Sequence, residues 1–181
     1  MPSSSDPRQA SASEPDRAAA HHFGRAADFG RAADEVFEHV RASAITCDGL
    51  AVWVSPPTEQ RGRPGSVGPT LYGGTAGIAL ALAQYADLRG QAWAMDLAEQ
   101  SAAHALEHAA SVPAEHRFGL YGGWAGIVYA TCAVAARSGD PSLLRGAASL
   151  VDELAGTDPS SQFDLVSGQA GAVAGLALAS P

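Results

Sequence analysis

The chain has 181 residues, which corresponds to one domain of ordinary size or to part of a larger protein. Apolar residues make up 46% of the chain and charged residues 17%, so a packed core is expected and wholesale disorder is excluded. The formal net charge of −8 argues against a nucleic-acid backbone or an anionic membrane as partner.

Alanine makes up about a fifth of the chain. Because alanine is the best helix former and is depleted in strands, this composition favours an all-α fold. Two cysteines, Cys47 and Cys132, are too few and too far apart for a disulfide scaffold, and they favour a cytoplasmic, reducing location.

Residues 1–22 are rich in Ser, Pro and Ala and lack the charged-then-apolar order of a signal peptide. We expect them to form a disordered tail, followed by a helical domain over residues 23–181. The uncharged run 118–136 opens with glycines and is rich in alanine, so we expect a buried helix there and no membrane insertion.

Helical patterns of two kinds alternate along the domain. Residues 23–43, 91–112 and 141–155 are amphipathic, whereas residues 78–86 and 125–136 are apolar nearly all round. Asp140 is a predicted N-cap before Pro141. Residues 47–70, rich in Gly and Pro, predict an extended loop around Trp53.

A glycine motif precedes each apolar helix and recurs three times, with 49 and then 45 residues between copies. The copies are Leu71-Tyr72-Gly73-Gly74-Thr75-Ala76-Gly77, Leu120-Tyr121-Gly122-Gly123-Trp124-Ala125-Gly126 and Leu165-Val166-Ser167-Gly168-Gln169-Ala170-Gly171. This period is typical of helical-pair arrays or propellers, and the lack of useful strand patterns favours helical pairs.

We interpret the motif glycines as structural. The last glycine of each copy lies one helical turn inside, where it costs about 1 kcal/mol relative to alanine unless a neighbouring backbone approaches closely, as when inner helices crowd around an axis. A phosphate-binding loop is the less favoured alternative, because three equivalent copies do not suit one nucleotide site. The motif glycines are Gly73, Gly74, Gly77, Gly122, Gly123, Gly126, Gly168 and Gly171.

The three copies resemble the lanthionine synthetase C-like (LanC-like) family from about Phe23 to the end of the chain. The resemblance implies an α/α toroid with inner and outer helices, here a partial ring of about three helix pairs. It also implies peptide cyclisation, in which a precursor cysteine, activated on zinc, adds to a dehydroalanine or dehydrobutyrine to form a thioether. The implied partner is a precursor peptide of the lanthipeptide type.

The sequence departs from this family at the zinc site. The family's Trp-Cys-x-Gly and Cys-His-Gly motifs do not occur here, so we expect no metal site in this chain, although zinc is expected for the family. Cys132 is better interpreted as a small buried apolar residue. Asp164 precedes the third glycine motif as the family's active-site aspartate does, and it has either a catalytic role or a helix-capping role.

A competing metal motif is His104-Ala-Leu-Glu107-His108, which matches the H-x-x-E-H pattern of zinc peptidases, with Glu153 as a possible third ligand. Its His104 and Glu107 fall on the polar face of the amphipathic helix 91–112, which disfavours this alternative.

Three hypotheses follow. The first is a LanC-like cyclase component, truncated before the zinc-binding repeats and catalytically incomplete, which needs a C-terminal half or a synthetase partner. The second is a non-catalytic helical-repeat module that binds a peptide or a synthetase. The third is the zinc peptidase.

Overall fold

The computed structural model describes residues 14–57, 62–158 and 161–180, with side chains from residue 28 onward. The helices are α1 (Glu14–Ala42), α2 (Thr75–Arg89), α3 (Ala92–Glu107), α4 (Trp124–Ser138), α5 (Pro141–Ala155) and α6 (Gln169–Ala179). The strands are β1 (Ile45–Cys47), β2 (Leu50–Val52), β3 (Val54–Ser55) and β4 (Gly65–Ser66). The chain divides into one unit that ends at His39 and a second that begins at Val40.

The first helix begins at Glu14, nine residues before the predicted start at Phe23. Helix formation here is favoured by a proline in the first turn, an aspartate beside it and the alanines at 18–20. The prediction of a tail rested on the Ser and Pro residues that precede them. The first 13 residues of the expected tail lie outside the described residues.

Two small antiparallel hairpins lie between Ile45 and Ser66, where we predicted an extended loop over 47–70. β1 pairs with β2 through Ile45 and Val52, and β3 pairs with β4 through Val54 and Ser66. The first turn is Asp48-Gly49, with φ of 51° and 79°, as a two-residue hairpin turn with both central residues left-handed requires. Between the hairpins, buried Trp53 donates a hydrogen bond from Nε1 to the Val40 carbonyl (2.8 Å).

The helices from α2 onward form two layers. The inner-layer helices α2, α4 and α6 pack side by side in chain order, and the outer-layer helix α3 packs against α2, α4 and α5. The other outer helix, α5, packs on α4. This confirms the predicted all-α class and the alternation of inner and outer helices.

The helix boundaries follow local signals. α5 begins at Pro141 as predicted, and the Asp140 Oδ1 accepts a hydrogen bond from the Ser142 amide (2.7 Å). α3 ends at Glu107, five residues before the predicted end, and is followed by two short 3₁₀ turns, Ala109–Ser111 and Ala114–His116.

Small residues dominate the contact between the layers. Nine alanines are fully buried in α2, α3 and α4, alongside the larger Leu82, Trp124, Ile127 and Val134. Alanine side chains let helix axes approach closely, which accounts for the alanine excess of the chain. In the described part of the chain, no helix combines the length and the apolar character needed to cross a membrane.

Candidate functional site

Three loops of the same conformation lead into the inner helices: loop 1 (68–74), loop 2 (117–123) and loop 3 (162–168). In each, the first amide of the helix donates to the carbonyl seven residues earlier: Thr75 to Gly68 (2.8 Å), Trp124 to Arg117 (2.8 Å) and Gln169 to Gln162 (3.0 Å). Since the first amide of each inner helix is already hydrogen-bonded to a backbone carbonyl, it is not available to bind a phosphate, which disfavours the phosphate-loop alternative.

The last glycine of each motif lies against the backbone of its own loop. A Cβ on Gly77, Gly126 or Gly171 would overlap the carbonyl oxygen of Leu71, Leu120 or Leu165, which lies six residues earlier. We expected the close backbone to belong to a neighbouring inner helix, and the structure corrects this. The loop folds back over the first turn of its own helix, so at Gly77 and Gly126 the nearest backbone belongs to the motif itself, whereas at Gly171 it is the Leu120 amide nitrogen of loop 2.

Backbone hydrogen bonds join each loop to the next, and we call these bonds the loop ladder. The Tyr72 amide in loop 1 donates to the Tyr121 carbonyl in loop 2 (3.0 Å). In the same way, the Leu120 and Gly122 amides in loop 2 donate to the Leu165 and Val166 carbonyls in loop 3 (3.1 and 2.9 Å). The three glycine motifs therefore form one continuous surface at the N-terminal ends of the inner helices.

Asp164 lies in loop 3 on this surface and is exposed. Its Oδ1 accepts hydrogen bonds from the Val166 amide (2.7 Å) and the Ser167 amide (2.9 Å). These amides occupy the positions from which Tyr72 and Gly122 donate to the following loop. In loop 3, the Asp164 carboxylate thus accepts the hydrogen bonds that backbone carbonyls of the following loop accept in loops 1 and 2.

The same hydrogen bonds set the ionisation of Asp164. The bond from Ser167 and then that from Val166 hold the pKa of this carboxyl below its ordinary value, with a smaller contribution from the charge of His116. Sequence reasoning gave His116 no role, and no local signal pairs it with Asp164, because the pairing depends on how loops 2 and 3 meet.

Aromatic side chains are exposed along the loop surface. Tyr72 is 87% exposed and Tyr121 38% exposed, and the loop ladder holds their backbones side by side. Phe163 in loop 3 is also exposed. Exposed aromatic side chains on adjacent loops are typical of surfaces that bind a partner.

The H-x-x-E-H motif has a different geometry from the one we expected. His104 is buried, with 6% of its surface exposed, and its Nδ1 shares a hydrogen bond with the Thr75 hydroxyl (3.0 Å). The prediction that His104 lies on the polar face of its helix was wrong. The imidazole is buried between α2 and α3, where Thr75 of α2 supplies its hydrogen-bond partner. Burial, followed by the charge of His108, lowers the pKa of His104, against a smaller opposing effect of Glu107.

The two motif histidines do not converge on one metal position. Their rings stack with centroids 4.1 Å apart and planes 13° apart. An imidazole binds a metal along a nitrogen lone pair in the ring plane, so the lone pairs of the two stacked rings lie in nearly parallel planes and do not meet at one metal ion. Glu107 and Glu153 are both exposed.

The two cysteines lie in unrelated surroundings. Cys47 is exposed in the first hairpin, where its thiol hydrogen-bonds Asp48 Oδ2 (3.4 Å). Cys132 borders an apolar cavity of about 470 Å³ between α4, α5 and α6, and burial raises its pKa. Over the described ranges, no three His, Cys, Asp or Glu side chains are grouped so as to hold a metal ion.

The chain matches one family model but no curated protein. The comparison with curated proteins gives no match. The family model described as lanthionine synthetase C-like protein matches residues 65–180, which is more than half of the chain and contains all three loops and helices α2 to α6. With its repeated glycine loops and two helical layers, the chain belongs to the lanthionine synthetase C-like family.

Proposed function

We propose that this chain is a component of a LanC-like cyclase that closes thioether rings in a lanthipeptide precursor. In that reaction the thiol of a peptide cysteine loses its proton and its sulfur bonds to the β-carbon of a dehydroalanine or dehydrobutyrine. The carbon–carbon double bond opens to an enolate, whose α-carbon then takes up a proton. The observation that carries the proposal is the family match over residues 65–180, which coincides with the three-loop surface.

The described residues do not fit the zinc ion that the family uses. A zinc-bound cysteine is a thiolate, whereas burial among apolar side chains favours the neutral thiol of Cys132. Cys47 lies in a hairpin, and His104 already pairs with Thr75. We therefore assign no metal-dependent step to this chain and expect it to be catalytically incomplete alone.

The role proposed for Asp164 is to orient a reacting group on the loop surface. Two backbone amides lower its pKa, so the carboxylate is ionised at neutral pH and is a better hydrogen-bond acceptor than proton donor. This supports orientation of a donor group over direct protonation of the enolate. The capping of loop 3 by the same oxygen is compatible with that role.

The proposed partners are a precursor peptide and a polypeptide segment with zinc-binding repeats, either a C-terminal half or a synthetase. The exposed Tyr72 and Tyr121 support peptide binding at the loop surface, since aromatic side chains provide large apolar contact area at low entropic cost. The proposed location is the cytoplasm, where a precursor with free thiols stays reduced.

The test uses a synthetic peptide with one dehydroalanine and one cysteine. Ring closure leaves the mass unchanged but removes the thiol, so a thiol-alkylating reagent adds mass only to uncyclised peptide. We expect the chain alone to bind the peptide and leave it alkylatable, and a co-expressed polypeptide with Cys-His-Gly to restore closure. Failure to bind the peptide, or failure of every such polypeptide to restore closure, would contradict the cyclase proposal.

A non-catalytic binding module is the second candidate, and the exposed aromatic row of loops 1 and 2 favours it. In that case, the peptide binds with equal affinity whether or not its dehydroalanine is replaced by alanine. Equal affinity for the two peptides, together with failure of every Cys-His-Gly polypeptide to give ring closure, would support the module over the cyclase component, and a weaker affinity for the alanine peptide would contradict it.

A further inference from the structure

Arg117 is a cation that the fold holds in place without an anionic partner. It is the first residue of loop 2, and its guanidinium carbon lies 4.3 Å from the centre of the Trp124 ring at the start of α4. Its side chain forms no hydrogen bond and no ion pair with another described residue. By contrast, the guanidinium of Arg137 at the other end of α4 lies 2.8 Å from the Asp87 carboxylate.

The guanidinium nitrogens of Arg117 differ in their surroundings. Nε is buried and has no hydrogen-bond acceptor among the described residues. Nη1 and Nη2 have no acceptor there either, but they are not buried, so this edge of the guanidinium faces solvent. The Trp124 ring beneath it is 2% exposed and is fixed by a hydrogen bond from Nε1 to the Ala109 carbonyl (2.8 Å). The exposed edge of Arg117 is therefore oriented before any ligand binds.

The chemistry of this edge matches a carboxylate. Nη1 and Nη2 carry parallel N–H donors at a spacing that fits the two oxygens of one carboxylate group. Because Trp124 already fixes the plane of the guanidinium, binding costs little side-chain entropy. A phosphate dianion needs more positive charge than one guanidinium supplies in a chain of net charge −8, and the adjacent His116 already interacts with the negative Asp164.

We propose that Arg117 is a subsite for one acidic side chain of the peptide that binds the loop surface, so that the peptide ligands of this chain carry an aspartate or a glutamate. This inference rests on the proposed binding of a peptide there. Loop 2 is closed by the bond from the Trp124 amide to the Arg117 carbonyl, and the exposed Tyr121 belongs to the same loop. One short segment of peptide can therefore place an apolar side chain against Tyr121 and a carboxylate on Arg117.

The experiment measures peptide affinity by fluorescence anisotropy with the full chain. The labelled peptides contain one dehydroalanine and a serine in place of cysteine, so no thioether ring can close. One glutamate is moved along an otherwise uncharged peptide, and each position is compared with glutamine. We expect a position at which the glutamate peptide binds about tenfold tighter than the glutamine peptide. This preference should decrease as the salt concentration rises.

Three variants of the chain test whether Arg117 causes the preference. Arg117→Gln should abolish it, and Arg117→Lys should reduce it, because an ammonium group keeps the charge but not the paired donors. Arg145→Gln is the matched control, since it removes the same charge from an exposed position of α5 and should keep the preference. Circular dichroism should show the same helix content in all three variants.

A second measurement needs no variant to bind peptide. The buried Nε–H group of Arg117 should give a ¹H–¹⁵N resonance, assigned by its absence in Arg117→Lys, that shifts with the glutamate peptide and not with the glutamine peptide. Absence of a glutamate preference at every position, or a preference that survives Arg117→Gln, overturns the proposal. Tighter binding of a phosphoserine peptide than of the glutamate peptide, if it depends on Arg117, overturns the assignment to a carboxylate.

These outcomes are separate from those of the ring-closure test. A glutamate preference without ring closure by any partner would contradict the cyclase proposal alone. Ring closure without a glutamate preference would overturn the Arg117 subsite alone.

Discussion

The Thr75 hydroxyl and His104 Nδ1 lie 3.0 Å apart and join the first residue of α2 to the last turn of α3. The first residue of the next inner helix makes a similar contact, since Trp124 Nε1 donates to the Ala109 carbonyl just beyond α3 (2.8 Å). Both bonds are buried. The glycine loops are thereby tied to the end of the first outer helix of this two-layered region through polar side chains at the helix starts.

The first prediction concerns this hydrogen bond. His104→Ala leaves the buried Thr75 hydroxyl without its partner, so we expect the free energy of unfolding to fall by about 1–3 kcal/mol. Urea denaturation measures the change. In the double variant Thr75→Val/His104→Ala the loss should be smaller than the sum of the two single losses, and strict additivity would show that the two residues are not coupled.

The second prediction concerns pH. Burial and His108 lower the pKa of His104 in the folded chain, so between the folded and unfolded pKa values the unfolded chain binds more protons. The stability that neutral, buried His104 contributes is fully present above its ordinary pKa of 6.5. It is lost as the pH falls through the lowered pKa of the folded chain. Between pH 8 and pH 5, the urea midpoint should fall less steeply with decreasing pH in His104→Ala than in the natural chain. An equal fall in both chains would show that His104 does not cause the pH dependence of stability.

The third prediction concerns the motif glycines. Gly126→Ala would place a Cβ onto the Leu120 carbonyl, and we expect it to cost roughly 1–3 kcal/mol or more of stability. Gly73→Ala is the matched control, because a Cβ there meets nothing within 4 Å, and its effect should stay within about 0.5 kcal/mol. Thermal unfolding of the two variants measures both losses of stability. Equal losses in Gly126→Ala and Gly73→Ala would contradict the steric argument.

The fourth prediction separates the two roles of Asp164. Asp164→Asn keeps an Oδ1 acceptor for Val166 and Ser167, so the thermal midpoint should change little, whereas Asp164→Ala should lower it. If the charge itself serves the reaction, Asp164→Asn should abolish the ring closure restored by a partner. Full closure with Asp164→Asn would leave Asp164 only its structural role.

The folded-state pKa of Asp164 also gives its stabilisation a defined pH range. Because that pKa is lowered, the stabilisation is present above the unfolded pKa and disappears as the pH falls through the folded value. The acid side of the stability profile should therefore flatten in Asp164→Asn.

The fifth prediction concerns thiol reactivity. The raised pKa of Cys132 leaves little thiolate at neutral pH, so iodoacetamide should modify it more slowly than the exposed Cys47 in the same chain. Mass spectrometry of the digested protein over time gives both rates. In denaturant the rates should converge, and a faster reaction of Cys132 in the folded chain would contradict the protection expected from its partial burial.

Local signals predicted the parts of this fold that depend on a few adjacent residues. Asp140 and Pro141 gave the start of α5 because a cap and a first-turn proline act within one helical turn. The Asp48-Gly49 turn is a signal of the same kind, but the strands on either side of it are only three residues long, so the surrounding Gly and Pro favour a loop in the sequence pattern. The burial of His104 had no such signal, because its partner Thr75 lies 29 residues away on another helix.

In the candidate site, too, the sequence predicts only the features that depend on neighbouring residues in the chain. The position of Asp164 before the third motif follows from the repeat, but its bonds to the Val166 and Ser167 amides depend on how the loop closes. The alignment of Tyr72 with Tyr121 depends on contacts between loops 49 residues apart, which no periodicity within one helix reveals.

The loop ladder makes the repeats thermodynamically dependent on their neighbours. Opening loop 2 removes the acceptor of the Tyr72 amide and the donors to Leu165 and Val166 at once, so a local fluctuation there disturbs both adjacent repeats. Such nearest-neighbour coupling gives cooperative unfolding of linear arrays, with the middle repeat the most protected. Hydrogen exchange at the Leu120 and Gly122 amides should therefore report the separation of loop 2 from loop 3, to whose carbonyls they donate, and exchange at the Tyr72 amide should report the separation of loop 1 from loop 2.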